Sequence, residues 1–314
     1  MAYVGIDLGG TNIASGVVDD EGKIISQVSV KTLADRPYQE VVKDMASSVL
    51  QAIEKANMQL KDISSIGIGI PGVANNENGM VINCTNLGWL DVPLRDEMQK
   101  YIDLPVLLDN DANVAALAEA YAGVSKNVRS SVMFTLGTGV GGGIVIDGKT
   151  WTGAHGRGGE IGHMTLVPDG VPCTCGNNGC VERYCSATAL IRTAQQECYA
   201  FPDSLMMKKA EGDPEKINAR IVIDSAKEGD EPALRVFASF ARYLAMAINN
   251  ITAFMDPDMI VLGGGVSNAG KFLLDAVNAL LPRFQMFKAL PIPTLALASL
   301  GNEAGIIGAA MLGK

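Results

Sequence analysis

His163, Cys173, Cys175 and Cys180 place one imidazole and three thiols within eighteen positions, the ligand set of a closed Cys₃His zinc site. The spacing departs from the usual C-x₂-C, so a polar loop of reduced thiols stands beside that reading. His155, the only other histidine, competes as a ligand, but the glycines at 156, 158 and 159 predict a mobile loop there. Cys84, Cys185 and Cys198 fall outside the cluster and read as buried or half-buried thiols.

A second polar group is the run Leu108-Asp109-Asn110-Asp111-Ala112-Asn113, where an apolar strand gives way to an Ala-rich helix. Asn110 or Asp111 can serve as the helix cap. Equally, three polar side chains crowd one strand end, the place where α/β folds collect ligand groups. A carboxylate at a helix N-terminus is stabilised as the anion and is ready to accept a proton.

Glycine-rich turns form the third group. Gly137-Thr138-Gly139-Val140-Gly141-Gly142 matches the dinucleotide fingerprint, but the strand-like Ile144-Val145-Ile146 follows where a helix N-terminus is required. Gly143–Thr150 satisfies the P-loop pattern, and its middle is again β-branched strand. What survives is a pair of turns, Asp7-Leu8-Gly9-Gly10-Thr11-Asn12 and Leu136-Gly137-Thr138-Gly139. Each is able to close a hairpin or to bring backbone N–H groups and a Thr hydroxyl to a phosphate. Asp7 beside such a turn is costly unless a cation or a metal-bound water sits there.

The elements that must hold these groups follow from periodicity. Residues 3–8, 13–18 and 24–30 read as a three-strand meander, and 39–57 carries Val41, Met45, Val49, Ile53 and Ala56 on one helical face. Ile63–Ile70 and Pro105–Leu108 read as strands and Ala112–Ala122 as a helix. Laying Leu136 over Leu8, at an offset of 128, aligns Val4, Leu8, Gly9, Val17 and Asp19 with Val132, Leu136, Gly137, Val145 and Asp147 as identities. The match suggests a duplicated lobe. Helices follow around 187–198 and 232–255, then a strand Met259–Leu262 entering Gly263-Gly264-Gly265, a strand near 293–299 and a helix over 303–312. This predicts an α/β protein with an N-terminal lobe over 1–122, rejoined by a terminal helix at about 300–314, and a C-terminal lobe over 123–299 that carries the zinc loop.

A chain of 314 residues exceeds one comfortable core, which also favours two lobes. The 48% hydrophobic and 19% charged content and the 35 glycines describe a turn-rich globular protein. A net charge of −9 disfavours nucleic-acid and membrane partners, and an anionic substrate then needs local help from Mg²⁺ and backbone N–H groups. The start, MAYVGIDLGG, has no basic n-region or apolar h-region, so the expectation is a cytoplasmic protein with reduced thiols.

With these motifs in this order, the chain resembles the ROK family of bacterial sugar kinases and repressors over essentially its full length. Asp7–Thr11, Leu136–Gly139 and Gly263–Gly265 look like the phosphate 1, phosphate 2 and adenosine motifs of the wider sugar kinase, heat-shock ATPase and actin superfamily. The resemblance implies duplicated ribonuclease H-like domains, as in actin-like ATPases, around a central cleft. It implies ATP contacts at Asp7, Gly9, Gly10, Thr11, Asn12, Gly137, Thr138, Gly139, Gly263, Gly264 and Gly265. By the same resemblance Asp111 is the catalytic base, and Asn86, Asn110, Asp111, Glu160, His163 and Glu182 bind the sugar. Structural zinc is held by His163, Cys173, Cys175 and Cys180, with one His163 nitrogen on the metal and the other on the sugar. Gly67–Gly72 resembles a cleft-lining strand and turn, and Trp89 reads as core.

The implied activity is ATP- and Mg²⁺-dependent phosphorylation of a hexose at its 6-hydroxyl. Glucose is the first candidate because Asn86-Leu87-Gly88-Trp89 looks like the glucokinase version of the specificity loop. N-acetylmannosamine, N-acetylglucosamine, fructose and allose are the alternatives. A non-catalytic sugar-binding regulator is a further one, although Asp7 is reached too early for a preceding helix-turn-helix. An actin- or chaperone-like ATPase would have no reason for such a zinc loop. A homodimer, or a dimer of dimers, is the expected assembly.

Overall fold

The computed structural model describes residues 1–314. The chain divides into two compact units, Met1–Ser131 with Gly143–Gly159 and Ser299–Lys314, and Val132–Gly142 with Glu160–Ala298. The boundary therefore falls inside a β-hairpin rather than at 122/123, the position expected from sequence. The reason is local packing: a Cβ on Gly143 would stand 2.5 Å from the Ala116 side chain and 2.7 Å from the Ala112 carbonyl oxygen, so the far half of the hairpin lies against the Ala-rich helix.

In the first unit the strands are β1 (Ala2–Leu8), β2 (Asn12–Asp19), β3 (Ile24–Lys31), β4 (Ile63–Ile70), the short β5 (Val73–Asn75), β6 (Met80–Cys84) and β7 (Trp89–Val92), and β8 (Val106–Asn110). Five form a sheet of order β3-β2-β1-β4-β8, antiparallel on the hairpin side and parallel from β1 to β8. The parallel strand β4 is buried along nearly its whole length, its isoleucines alternating with Ser and Gly as the sequence shows. Helix α1 (Tyr38–Lys55) covers β2 and β3 with Val41, Met45, Val49 and Ile53 of the predicted stripe, joined by Val42, while the fifth predicted residue, Ala56, is half-buried just past the helix end. The short α2 (Leu94–Gln99) precedes β8. The three-stranded sheet β5-β6-β7 was not legible in sequence, because strands of three to five residues interrupted by Asn and Gly carry too few alternations.

Behind the main sheet lie α3 (Asp111–Tyr121) and the C-terminal helix, packed on each other and on β4. Their approach uses missing side chains. A Cβ on Gly5 would stand 1.8 Å from the Ile306 carbonyl oxygen, and one on Gly308 would stand 1.6 Å from that of Val114.

The second five-stranded sheet has the order β11-β10-β9-β12-β13, with β9 (Ser130–Leu136), β10 (Val140–Ile146), β11 (Lys149–Thr150), β12 (Met259–Gly263) and β13 (Thr294–Leu297). The offset of 128 that aligns the sequence maps β1 onto β9 residue for residue and the start of β2 onto the start of β10. The helices of the second unit are α4 (Glu182–Cys185), α5 (Ala187–Ala200), α6 (Leu205–Lys209), α7 (Ala219–Lys227), α8 (Glu231–Met255), α9 (Lys271–Asn278) and α10 (Leu281–Phe284); the C-terminal helix is α11 (Ala304–Met311). Their organiser is α8, 25 residues long, which buries Val236, Phe237, Phe240, Leu244, Ile248 and Ile251 at helical spacing against α5, α7 and α9. No helix is long and apolar enough to cross a membrane.

Candidate active site

The first glycine turn joins β1 to β2. It closes through Gly9 N–H to the Asn12 carbonyl oxygen at 3.0 Å. Thr32, fully buried at the end of β3, ties it down: its hydroxyl donates to the Gly9 carbonyl at 2.6 Å and its N–H to the Thr11 carbonyl at 3.0 Å. Burial pushes the Asp7 carboxyl above its ordinary range. The carboxylate faces the start of α11, where a Cβ on Gly305 would stand 2.5 Å from Asp7 Oδ2. A half-buried acid with no offsetting donor is the arrangement in which a divalent cation on a phosphate is welcome.

The junction of β8 and α3 divides its polar work among three residues. Asn110 is the cap: its Oδ1 accepts from Ala112 N at 2.8 Å and from Asn113 N at 3.4 Å. Its Nδ2 donates to the Gly72 carbonyl at 3.0 Å, leaving one amide hydrogen for a ligand. Asp109 is buried, accepting from Asn113 Nδ2 at 2.7 Å, Asn110 N at 2.7 Å and Thr150 Oγ1 at 2.9 Å. Burial raises its carboxyl and these donors pull the other way. Asp111 opens the helix with an exposed side chain whose Oδ1 also accepts from Ala112 N at 2.8 Å. An exposed carboxylate at the positive end of a helix dipole is suited to take a proton from a bound hydroxyl.

Asn86 is exposed on a single 3₁₀ turn, Thr85–Leu87, that ends at the left-handed Gly88. It neighbours the first glycine turn: a Cβ on Gly10 would be 3.8 Å from Asn86 Cβ. Gly72 is demanded here, since a Cβ would stand 2.2 Å from the Asn83 carbonyl oxygen. Cys84 is buried beneath, its thiol 3.4 Å from the Pro71 carbonyl oxygen and raised by burial, with a smaller contribution from the Asp111 charge. Trp89 is core, as its sequence context predicts, edge-on to Tyr38 at 6.3 Å.

In the second unit, the turn between β9 and β10 closes one residue tighter than its counterpart, Gly137 N–H to the Gly139 carbonyl at 3.0 Å. Its carbonyls are held by Ala187 N at 2.8 Å and by Thr188 Oγ1, on the Thr138 oxygen, at 2.7 Å. Strand β10 continues from the first fingerprint and runs through the P-loop-like stretch, and no helix follows either, so neither is a dinucleotide or P-loop site. Gly264, at φ 81°, stacks on the same place: a Cβ would stand 2.6 Å from the Leu136 nitrogen and oxygen. The triple glycine and the second turn are thus one backbone surface, the kind that admits phosphate or a flat ring.

His163 sits on a 3₁₀ turn whose N-terminal flank is the exposed Glu160. His163 Nδ1 is 3.7 Å from Cys173 Sγ, Cys175 Sγ is 3.6 Å from Cys180 Sγ, and the four ligand atoms all lie within 4.8 Å of one another. A tetrahedron with metal–sulfur bonds of about 2.3 Å has edges of about 3.8 Å, so the donor set fits zinc in size as well as type. Burial pushes the Cys180 thiol up to about 12, whereas the Asn177 backbone N–H beside Cys175 holds that thiol down. The cluster lacks His155, which is exposed and belongs to the first unit. Glu182 links the cluster to the second turn, its Oε2 accepting Val140 N at 3.1 Å and its Oε1 lying 3.8 Å from Cys173 Sγ.

The family pattern of the ROK family matches residues 3–314. The chain belongs to the ROK family. Among its ROK relatives is a glucokinase of Halalkalibacterium halodurans, 36% identical over 99% of this chain and 94% of that protein. A ROK glucokinase from Streptomyces griseus, solved in complex with glucose and AMPPNP, is similar at 34% identity with a TM-score of 0.82, over 99% of both chains. The ROK hexokinase of Thermus thermophilus is similar at 35% identity and a TM-score of 0.85, over 99% of this chain and 97% of that one. The fold is thus the two-domain, actin-like ATPase fold of these ROK enzymes.

Sequence reading left Thr32 and Thr150 out of the site, since a lone threonine at a strand end carries no signal. Asp109 was visible within its polar triple, but only the tertiary structure separates the anchor, the cap and the exposed carboxylate.

Proposed function

We propose that the protein transfers the γ-phosphoryl group of ATP to the 6-hydroxyl of a hexose, with glucose the preferred acceptor. The observation that carries this reading is the exposed Asp111 carboxylate at the start of α3, in a unit that also holds the first glycine turn and the Asn86 loop. The identity of the named relatives supports it: two are glucokinases and one a hexokinase, each over nearly the whole chain.

Asp111 accepts the proton of the 6-hydroxyl as that oxygen attacks the γ-phosphorus. The bond from phosphorus to the bridging oxygen breaks and its electron pair leaves with ADP. Asn86, the remaining Asn110 amide hydrogen, Glu160, His163 and Glu182 hold the other hydroxyls. Residues Gly9–Asn12 and Gly137–Gly139 bind the phosphates through backbone N–H groups and threonine hydroxyls, and Gly263–Gly265 receives the nucleoside. Asp7 would hold Mg²⁺ on the protein side, and the ion would supply charge neutralisation on the phosphates. His163, Cys173, Cys175 and Cys180 would hold structural zinc, which would fix the loop. With Nδ1 turned to the thiols, the imidazole keeps Nε2 for the sugar. A cytoplasmic homodimer is the expected assembly, checked by light scattering after gel filtration.

The test is ADP release from Mg-ATP over glucose, mannose, fructose, allose, N-acetylglucosamine and N-acetylmannosamine. The expected result is the highest kcat/KM with glucose. No release with any of them, while a sugar still raises the melting temperature, would replace the kinase with a sensor.

A further inference from the structure

Glu119 is fully buried, two residues before the C-terminus of α3. Its carboxylate is saturated by donors from the loop that follows α3 and from one segment far along the chain. Oε1 accepts from Ser299 N at 2.7 Å and Leu300 N at 2.9 Å, and Oε2 from Val124 N at 2.8 Å and Ser299 Oγ at 2.8 Å. Gly123 makes room, since a Cβ there would stand 2.0 Å from Oε2.

These contacts sit at informative places along the chain. The helix that ends near Glu119 begins with Asp111, about 12 Å away at 1.5 Å per residue. Ser299 is the residue at which the chain re-enters the first unit, and Val124 precedes its first departure after Ser131. Beyond Leu300 a single 3₁₀ turn, Gly301–Glu303, leads to Gly305, which faces the Asp7 carboxylate. One side chain therefore ties the far end of the helix bearing Asp111 to the segment that backs Asp7. A buried charge is a poor device for stability alone, because an apolar replacement often does as well; its better-attested use is to impose a single arrangement.

We infer that Glu119 is a positioning residue for phosphoryl transfer, holding α3 and the Ser299–Gly305 segment in one frame so that Asp111 and Asp7 keep their working geometry. The inference rests on the kinase reading above. In Glu119→Gln the amide NH₂ can no longer accept the backbone N–H groups it faces, Val124 N in the place of Oε2 or Ser299 N and Leu300 N in the place of Oε1; in Ser299→Ala only the hydroxyl is lost.

The test measures kcat, both KM values and thermal midpoint for parent, Glu119→Gln and Ser299→Ala, using the sugar the parent prefers. Expected is a fall in kcat of about ten-fold or more in Glu119→Gln, with both KM values within about three-fold, and a fall of about two- to five-fold in Ser299→Ala. In an Asp111→Asn background, Glu119→Gln should lower residual turnover by less than about two-fold, because the two act through one geometry. Parental kcat in both variants, with only the midpoint lowered, overturns the inference and leaves the kinase reading intact. Where Glu119→Gln fails to fold, Ser299→Ala decides alone: a lower kcat at constant KM supports the inference and a parental kcat overturns it. An inactive parent overturns both readings.

Discussion

Glu182 Oε2 accepts the Val140 N–H at 3.1 Å, where the second glycine turn passes into its strand, while the same carboxylate touches the Cys₃His cluster through Cys173. The turn and the Cys₃His loop are thereby braced by one side chain. Replacing Glu182 by Ala should raise the sugar KM at least about ten-fold, the scale for loss of a hydrogen bond to a charged group, while zinc content stays at one per chain. Steady-state kinetics alongside elemental analysis check this; loss of metal would show that Glu182 belongs to the cluster rather than to the sugar.

Asp111→Asn keeps an acceptor for Ala112 N but removes the carboxylate proposed as the base. Turnover should drop by about 10²–10⁴-fold. The stability change should stay within about 1 kcal/mol, the scale of one charge at a helix N-terminus. Activity assays and denaturant melts together separate the base from a mere cap, for which the pattern would be reversed.

Cys175 is the exposed member of the metal set. Cys175→Ser should therefore lose zinc by elemental analysis, and chelator should strip the parent protein with a parallel loss of sugar binding by calorimetry. Metal content unchanged in the variant would remove the thiol from the ligand set.

Asp109 tests the electrostatics. Burial lifts its carboxyl above the ordinary carboxylate range, so between those two values the folded chain binds more protons than the unfolded one. Its contribution is favourable below that window and is lost as pH rises through it. Asp109→Asn carries no such dependence. Relative to that variant, the parent's thermal midpoint should decline from about pH 4 towards neutrality; a constant difference would show that the surrounding donors cancel burial.

Gly308 carries the helix contact behind the sheet. With the Val114 carbonyl oxygen 1.6 Å from a Cβ at that position, Gly308→Ala should destabilise the first unit by about 3 kcal/mol or more, or prevent folding. Urea denaturation reads it directly, and a variant of parental stability would mean that α3 and α11 separate freely.

The sequence by itself determined the period and order of the elements. Val41, Met45, Val49 and Ile53 could form only a helical stripe, and Ile63–Ile70 a buried strand, because side-chain direction follows backbone period. It determined the duplication, since identities at one offset fall on strands that begin at matching positions. It determined the Cys₃His grouping too, because its four residues are near neighbours in the chain. What tertiary structure decided are relations between residues far apart in sequence, which no local period encodes. Asn110 caps two backbone N–H groups of the helix and Asp111 shares only the first of them; Asp109 turns inward to Thr150; Glu119 meets Ser299, 180 positions on. The unit boundary belongs with these, because Gly143 settles on Ala112 and Ala116 through close packing that only the folded chain brings about.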